Sequence, residues 1–130
     1  MRTHLLVLAV TDIDRAKAFY SAAFGWPLGY EEPVYCEFRV APGFGVGLYL
    51  RSAFSANTGV VPSPVTPGAT TSTELYIRVD DLPAAVARME GAGARLLSPA
   101  ARRVWGDDAA YFADPDGNVV VVAVENDRGD

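Results

Sequence analysis

The sequence is poor in the side chains that most metal and redox chemistry needs. Among 130 residues there is one cysteine, Cys36, and one histidine, His4. A lone cysteine cannot close an internal disulfide, which fits a reduced, cytoplasmic setting. No histidine lies near Cys36 in sequence, so it reads as a buried, inert thiol. A single histidine also gives no secure Ser-His-Asp set. No run of Lys or Arg is present to neutralise phosphates, and the formal charge is −5, so nucleic acid is not an expected partner. No apolar run approaches the roughly 20 residues that span a bilayer, so no membrane partner is expected. Residues 1–10 lack the length and cleavage site of a signal peptide.

Half of the residues are apolar, enough for a packed core in one compact domain or two small fused modules. The clearest local signal is residues 109–124, which read as strand, tight turn, strand. Within Asp114-Pro115-Asp116-Gly117, Pro presets its φ and Gly accepts a positive one. The valines that follow are β-branched and too apolar for a surface strand, so a buried strand is expected. Upstream, residues 4–10 form a short apolar strand candidate. Residues 14–24 carry Ala16, Phe19, Tyr20, Ala23 and Phe24 at helical spacing, with Gly25 and Pro27 as stop signals. Residues 31–40 and 46–50 are further strands. Residues 52–72 are rich in Ser, Thr, Pro and Gly, and read as a linker that is long enough to serve as a flap.

From Thr73 the pattern starts again. A strand at 74–79 is followed by a helix start at Asp80-Asp81-Leu82-Pro83, with Leu82, Val86 and Met89 as its apolar stripe. A short strand at 95–97 precedes Trp105 and the hairpin. Val10-Thr11-Asp12-Ile13 lines up with Val79-Asp80-Asp81-Leu82, which marks an internal repeat. The expected organisation is a first module at 1–51, the linker at 52–72, a second module at 73–126 and a mobile charged tail at 127–130.

Three pieces carry a family resemblance: residues 10–20; Val79-Asp80-Asp81-Leu82; and Trp105-Gly106 followed by Phe112-Ala113-Asp114-Pro115-Asp116-Gly117-Asn118. In this order the chain resembles the vicinal oxygen chelate superfamily of glyoxalases, bleomycin resistance proteins and extradiol dioxygenases. The resemblance implies an α+β fold: two tandem βαβββ modules forming a curved mixed sheet around a cleft, helices outside. It also implies a homodimer, since two chains often complete two sites in this family. It leaves the reaction open, because the fold hosts both enzymes and binders.

Metal-dependent members place one ligand on each of four inner strands. By resemblance those positions are Leu5, a residue around Leu48, Glu74 and Val121. One carboxylate cannot hold a hard divalent cation, so no metal or other cofactor is expected. His4 is one residue from a ligand position, hence on the opposite face of its strand. Asp107-Asp108 reads as a solvated loop pair, and Asp114 and Asp116 as turn formers. Glu74 either meets a ligand or forms an ion pair with Arg78 or Arg39.

With three of the four positions apolar, the hollow becomes a binding surface. Leu5, Val7, Leu48, Leu50, Val119 and Val121 are its expected floor. Tyr35, Phe38, Tyr76, Tyr111 and Phe54 are candidate walls. Trp105 is the candidate stacking residue, since bleomycin resistance proteins resemble this chain at Trp105-Gly106, where a tryptophan contacts the drug. The reading is a metal-free protein that sequesters a hydrophobic or aromatic natural product, such as a bleomycin-like or enediyne antibiotic. The rivals are a metal-dependent lyase, isomerase or dioxygenase, and a non-catalytic interaction module.

Overall fold

The computed structural model describes residues 2–126 and divides the chain into two compact units. The expected tail at 127–130 lies outside the described residues. The first unit takes the chain up to residue 64, apart from 22–24, which group with residues 65 onward in the second.

The first unit begins with strand β1 (His4–Val10) and helix α1 (Ile13–Phe24). Asp12 caps α1 by accepting from the Arg15 backbone N–H at 3.0 Å, and Gly25 closes it in the left-handed conformation. Then come β2 (Leu28–Glu32), β3 (Tyr35–Ala41) and β4 (Phe44–Leu50), in a sheet ordered β1-β4-β3-β2. β1 runs parallel to β4, and the other pairs are antiparallel. Sequence periodicity gives a single strand over 31–40. The chain instead turns at Pro33-Val34 and pairs β2 back on β3, because Pro has no N–H to donate to a ladder.

Strand alternation sorts this sheet into two faces. Leu8, Val10, Cys36, Phe38, Val46 and Leu48 share the buried one. On α1, Ala16, Phe19, Tyr20 and Ala23 are buried, at the spacing the sequence shows. Tyr20 stacks on Trp26, which tilts against Phe38, and a Lys17–Glu31 ion pair ties α1 to β2.

The start of the stretch read from composition as linker, residues 52–58, instead belongs to a helix, α2 (Arg51–Thr58), closed by Gly59 in the left-handed region. Its Ser, Thr and Asn content conceals it, since these residues favour turns when nothing else holds them. Arg51 then fastens the following chain, donating to the Pro62 and Ser63 carbonyls at 2.9 and 2.8 Å.

The second unit repeats the plan: β5 (Glu74–Arg78), α3 (Leu82–Gly91), β6 (Arg95–Arg102), β7 (Asp108–Ala113) and β8 (Val119–Val124), ordered β5-β8-β7-β6. Asp81 caps α3 and Pro83 sits in its first turn, the counterpart of Asp12 in α1. β6 extends to Arg102, beyond the three residues expected, as the exposed edge strand. Ala85 and Met89 of α3 are buried, and α3 packs against β7 and β8. Leu75, Val120, Val122, Ala110 and Phe112 share one buried face of this sheet. The chain is thus α+β, two βαβββ units of identical strand order with mixed four-stranded sheets.

The Asp114–Gly117 turn is built as its residues dictate. Asp114 Oδ1 accepts from the backbone of Asp116 and Asn118, both at 2.9 Å, and Asn118 Nδ2 donates to Oδ2 at 3.0 Å. Gly117 has φ 84°, and a Cβ there would lie 2.8 Å from the Ala69 carbonyl oxygen. Part of the Ser/Thr/Pro-rich stretch is therefore pinned to the turn, with the Thr71 backbone N–H donating to the Gly117 carbonyl at 2.8 Å.

Candidate functional site

The richest constellation lies on the face of the second sheet opposite α3. Register places Glu74, Tyr76 and Arg78 of β5 on one side with Val119, Val121 and Ala123 of β8 and with Ala109 and Tyr111 of β7. Ala109, Val121 and Ala123 are fully buried, and Tyr76, Tyr111 and Val119 pack over them. The small alanines and short valines leave room for rings to lie flat on the sheet.

Asp107 organises the polar atoms here. It is 0% exposed. Its Oδ2 accepts from Tyr76 Oη at 2.7 Å and from Arg78 Nε and Nη2 at 3.2 and 3.1 Å. The Tyr76 hydroxyl in turn accepts from Trp105 Nε1 at 2.9 Å. A buried carboxylate needs such donors, because desolvation of an uncompensated charge is costly. The loop 103–107 that carries Asp107 and Trp105 is closed on itself: Arg103 N donates to the Asp107 carbonyl at 2.8 Å and Gly106 N to the Arg103 carbonyl at 2.9 Å. Trp105 therefore stands at the tip of a braced loop, 44% exposed, with its only polar atom engaged. The Arg78 guanidinium lies 5.5 Å from the Tyr76 ring centre.

Burial, and secondarily the hydrogen bond to Asp107, raises the Tyr76 phenol above its ordinary pKa. Burial, and then the charge of Glu74, does the same to Tyr111. Both stay protonated at neutral pH, so the surface presents neutral rings. A depression of about 470 Å³ lies beside them, lined by Ser98, Arg102, Arg103, Val104, Trp105 and Tyr111.

The first unit has its own aromatic row, on the sheet face away from the buried one. Tyr30, Tyr35, Tyr49 and Phe54 follow one another at ring-centre spacings of 6.3, 5.0 and 6.3 Å. Tyr35 Oη donates to Glu37 Oε2 at 2.9 Å, and burial and this bond raise its pKa. Gly47 is what lets the ring lie there, since a Cβ at that position would sit 2.6 Å from Tyr35 Oη. A neighbouring cavity of about 600 Å³ is lined by Leu5, Trp26, Glu37, Arg39 and Phe44 among others.

The structure thus brings Trp105, Tyr76, Tyr111, Val121 and Glu74 onto one face of the second unit, and Leu5, Tyr35 and Phe54 to the open side of the first. Two of the expected ligand contacts are corrected. Leu48 pairs with Leu8 and Cys36, is 0% exposed, and faces away from Leu5. Phe38, 1% exposed, lies on that same buried side. Neither is available to a ligand. Val121 is on the expected face but lies beneath the tyrosines, as support. Glu74 is exposed and forms no ion pair among the described residues, because Arg78 is directed to Asp107. Asp107, expected to be solvated, is the most buried acid of the site. Its partners lie 29 and 31 positions away, and no local pattern announces them.

A metal fits poorly. On Leu5's face of the first sheet, β4 presents Gly45, Gly47 and Tyr49, whereas Leu48 points to the buried side. On Glu74's face of the second sheet, β8 presents Val119, Val121 and Ala123, so Glu74 has no second donor beside it on that strand. His4 projects from the opposite face to Leu5. Among the described residues, no three His, Cys, Asp or Glu side chains are grouped to hold a metal ion. A divalent cation needs several oxygen or nitrogen donors together, and these residues do not supply them.

Known proteins bear out the architecture. The Fulvimarina pelagi glyoxalase-related enzyme superposes with a TM-score of 0.82 at 24% identity, over 96% of this chain and 88% of that one. TnmS3, an antibiotic binding protein from Streptomyces sp. CB03234, superposes at 0.71 with 25% identity, over 97% of each chain. A Mycobacterium bovis protein provisionally named a glyoxylase, CFP32, is 31% identical over 117 residues, 87% of this chain. The chain spans 41% of the length of that relative. The family model described as a glyoxalase-like domain matches residues 5–123. With its doubled βαβββ plan and a match across nearly all of its length, the chain belongs to the glyoxalase-like domain family.

Proposed function

We propose that this protein captures a flat, largely apolar small molecule, a hydrophobic or aromatic natural product, on the Trp105–Tyr76–Tyr111 face, without breaking a bond. The observation that carries the reading is Trp105: a half-exposed indole with its N–H held by Tyr76 on a bed anchored by buried Asp107. A ring held this way loses little rotamer freedom on binding, so stacking translates into affinity. The donor-poor inner positions and the likeness to an antibiotic binding protein support sequestration over metal-assisted chemistry. An antibiotic is the natural candidate class, and lowering its free concentration is the expected effect. The reading includes a homodimer: edge strands β2 and β6 leave Leu28, Tyr30, Leu96 and Leu97 exposed, and such edges favour pairing. Sedimentation is expected to give twice the chain mass.

The test is a fluorescence screen of aromatic natural products against Trp26→Phe protein, in which Trp105 is the sole indole. At least one compound is expected to quench it saturably. A panel spanning polyketide, glycopeptide and quinone scaffolds with no saturable change contradicts the reading and favours an interaction module.

A further inference from the structure

Arg103 lines the depression beside Trp105, and its hydrogen bonds all go to neutral oxygens. Nη2 donates to Ser98 Oγ at 3.1 Å, to the Pro99 carbonyl at 2.9 Å and to the Ala109 carbonyl at 2.8 Å, and Nε donates to the Ala109 carbonyl at 3.2 Å. The guanidinium is half-buried, centred 4.9 Å over the Tyr111 ring. Among the described residues no carboxylate pairs with it and Nη1 has no hydrogen-bond partner. Its neighbours differ in this respect: Arg102 is paired with Asp108 and Arg78 with Asp107.

A cation immobilised by neutral acceptors keeps its full charge for whatever approaches. From this geometry we infer that Arg103 is an anion-recognising group, and that the guest is a planar aromatic carrying an acidic oxygen, such as an aromatic carboxylate or an acidic phenol. The rings stack on Trp105 while the oxygen meets Nη1 across the depression. Charge-assisted bonds to a rigid guanidinium are stronger than neutral ones, and a preset fork reduces the ordering cost. Glu74 and Asp107 do not cancel the preference: Asp107 is already engaged by Arg78 and Tyr76, and Glu74 forms no ion pair with Arg103.

The inference rests on the reading of the Trp105 face as an aromatic binding surface, and the probes separate the two. Equilibrium dialysis of wild-type protein with 2-naphthoate and with its neutral isostere 2-naphthamide is expected to show the acid bound about tenfold more tightly. Arg103→Gln is expected to abolish that difference, so that acid and amide bind the variant equally, while Arg103→Lys retains part of it. Equal binding of acid and amide by wild-type protein overturns the Arg103 inference and leaves the aromatic surface standing. A preference that survives in folded Arg103→Gln also overturns it. Binding of neither probe overturns the Arg103 inference and leaves the Trp105 face to be decided by the fluorescence screen. Because Arg103 braces its loop, the wild-type comparison decides the matter even where Arg103→Gln does not fold.

Discussion

At the scale of single residues, Asp107 is the side chain on which the site's order depends. Removing it leaves the half-exposed Arg78 and the Tyr76 hydroxyl without their acceptor. Asp107→Ala is expected to cost about 2 kcal/mol, less than a broken fully buried pair, because Arg78 can reach water. Asp107→Asn, which keeps an acceptor for Tyr76, should cost less; urea unfolding measures both. Trp105, by contrast, contributes binding surface more than stability, and its exposure implies an unfolding midpoint little changed in Trp105→Ala. The phenols give a pH prediction. Tyr35, Tyr76 and Tyr111 have pKa values raised by burial, so the folded state favours their protonated forms. That stabilisation is complete below the unfolded tyrosine value, roughly pH 10, and is lost as pH rises through the folded values. Ultraviolet titration should show these tyrosines ionising late, and alkaline unfolding should release them together. Of the residues themselves, Tyr76 and Tyr111 were legible because large aromatics on an alternating strand announce a face, whereas Trp105, on a loop, is singled out by the resemblance at Trp105-Gly106. Asp107 was not legible, since an Asp-Asp loop pair looks solvated until distant Tyr76 and Arg78 fold onto it.

At the scale of elements, register decides what faces a guest. The resemblance places an inner position around Leu48, and its apolar side chain makes it floor. A one-residue step reverses the face, so Leu48 enters the buried core while Gly47 makes room for Tyr35. Phe38 fails for the same reason, being core by alternation with Cys36. The hairpin and both helix starts were legible from turn and capping chemistry. Helix α2 was not, since its residues are poor helix formers and it depends on β4 and β1 for packing. The Asp114–Gly117 turn supplies the test at this scale. Gly117→Ala combines a positive φ with a Cβ placed 2.8 Å from the Ala69 carbonyl, which belongs to backbone and cannot swing away. It should destabilise the protein by about 2 kcal/mol or more, seen as a lower thermal midpoint.

At the scale of the whole molecule, the doubled βαβββ plan was legible because both halves repeat a strand ending in Val, a capping Asp and a helix. What a repeat cannot convey is chemistry, which depends on the few positions where the halves differ. Glu74 in the second unit stands where the first has Leu5, and one carboxylate among apolar neighbours supplies too few donors for a hard divalent cation. Protein purified without chelators is therefore expected to carry far less than one divalent ion per chain by elemental analysis. A stoichiometric ion lost in Glu74→Ala would favour the glyoxalase-type reading. The most direct measurement is the affinity of wild-type and Trp105→Ala protein for the tightest compound from the fluorescence screen, determined by calorimetry. Loss of stacking on a preset ring should weaken binding about tenfold, with the fold intact. Equal affinities in the two proteins would contradict capture on the Trp105 face.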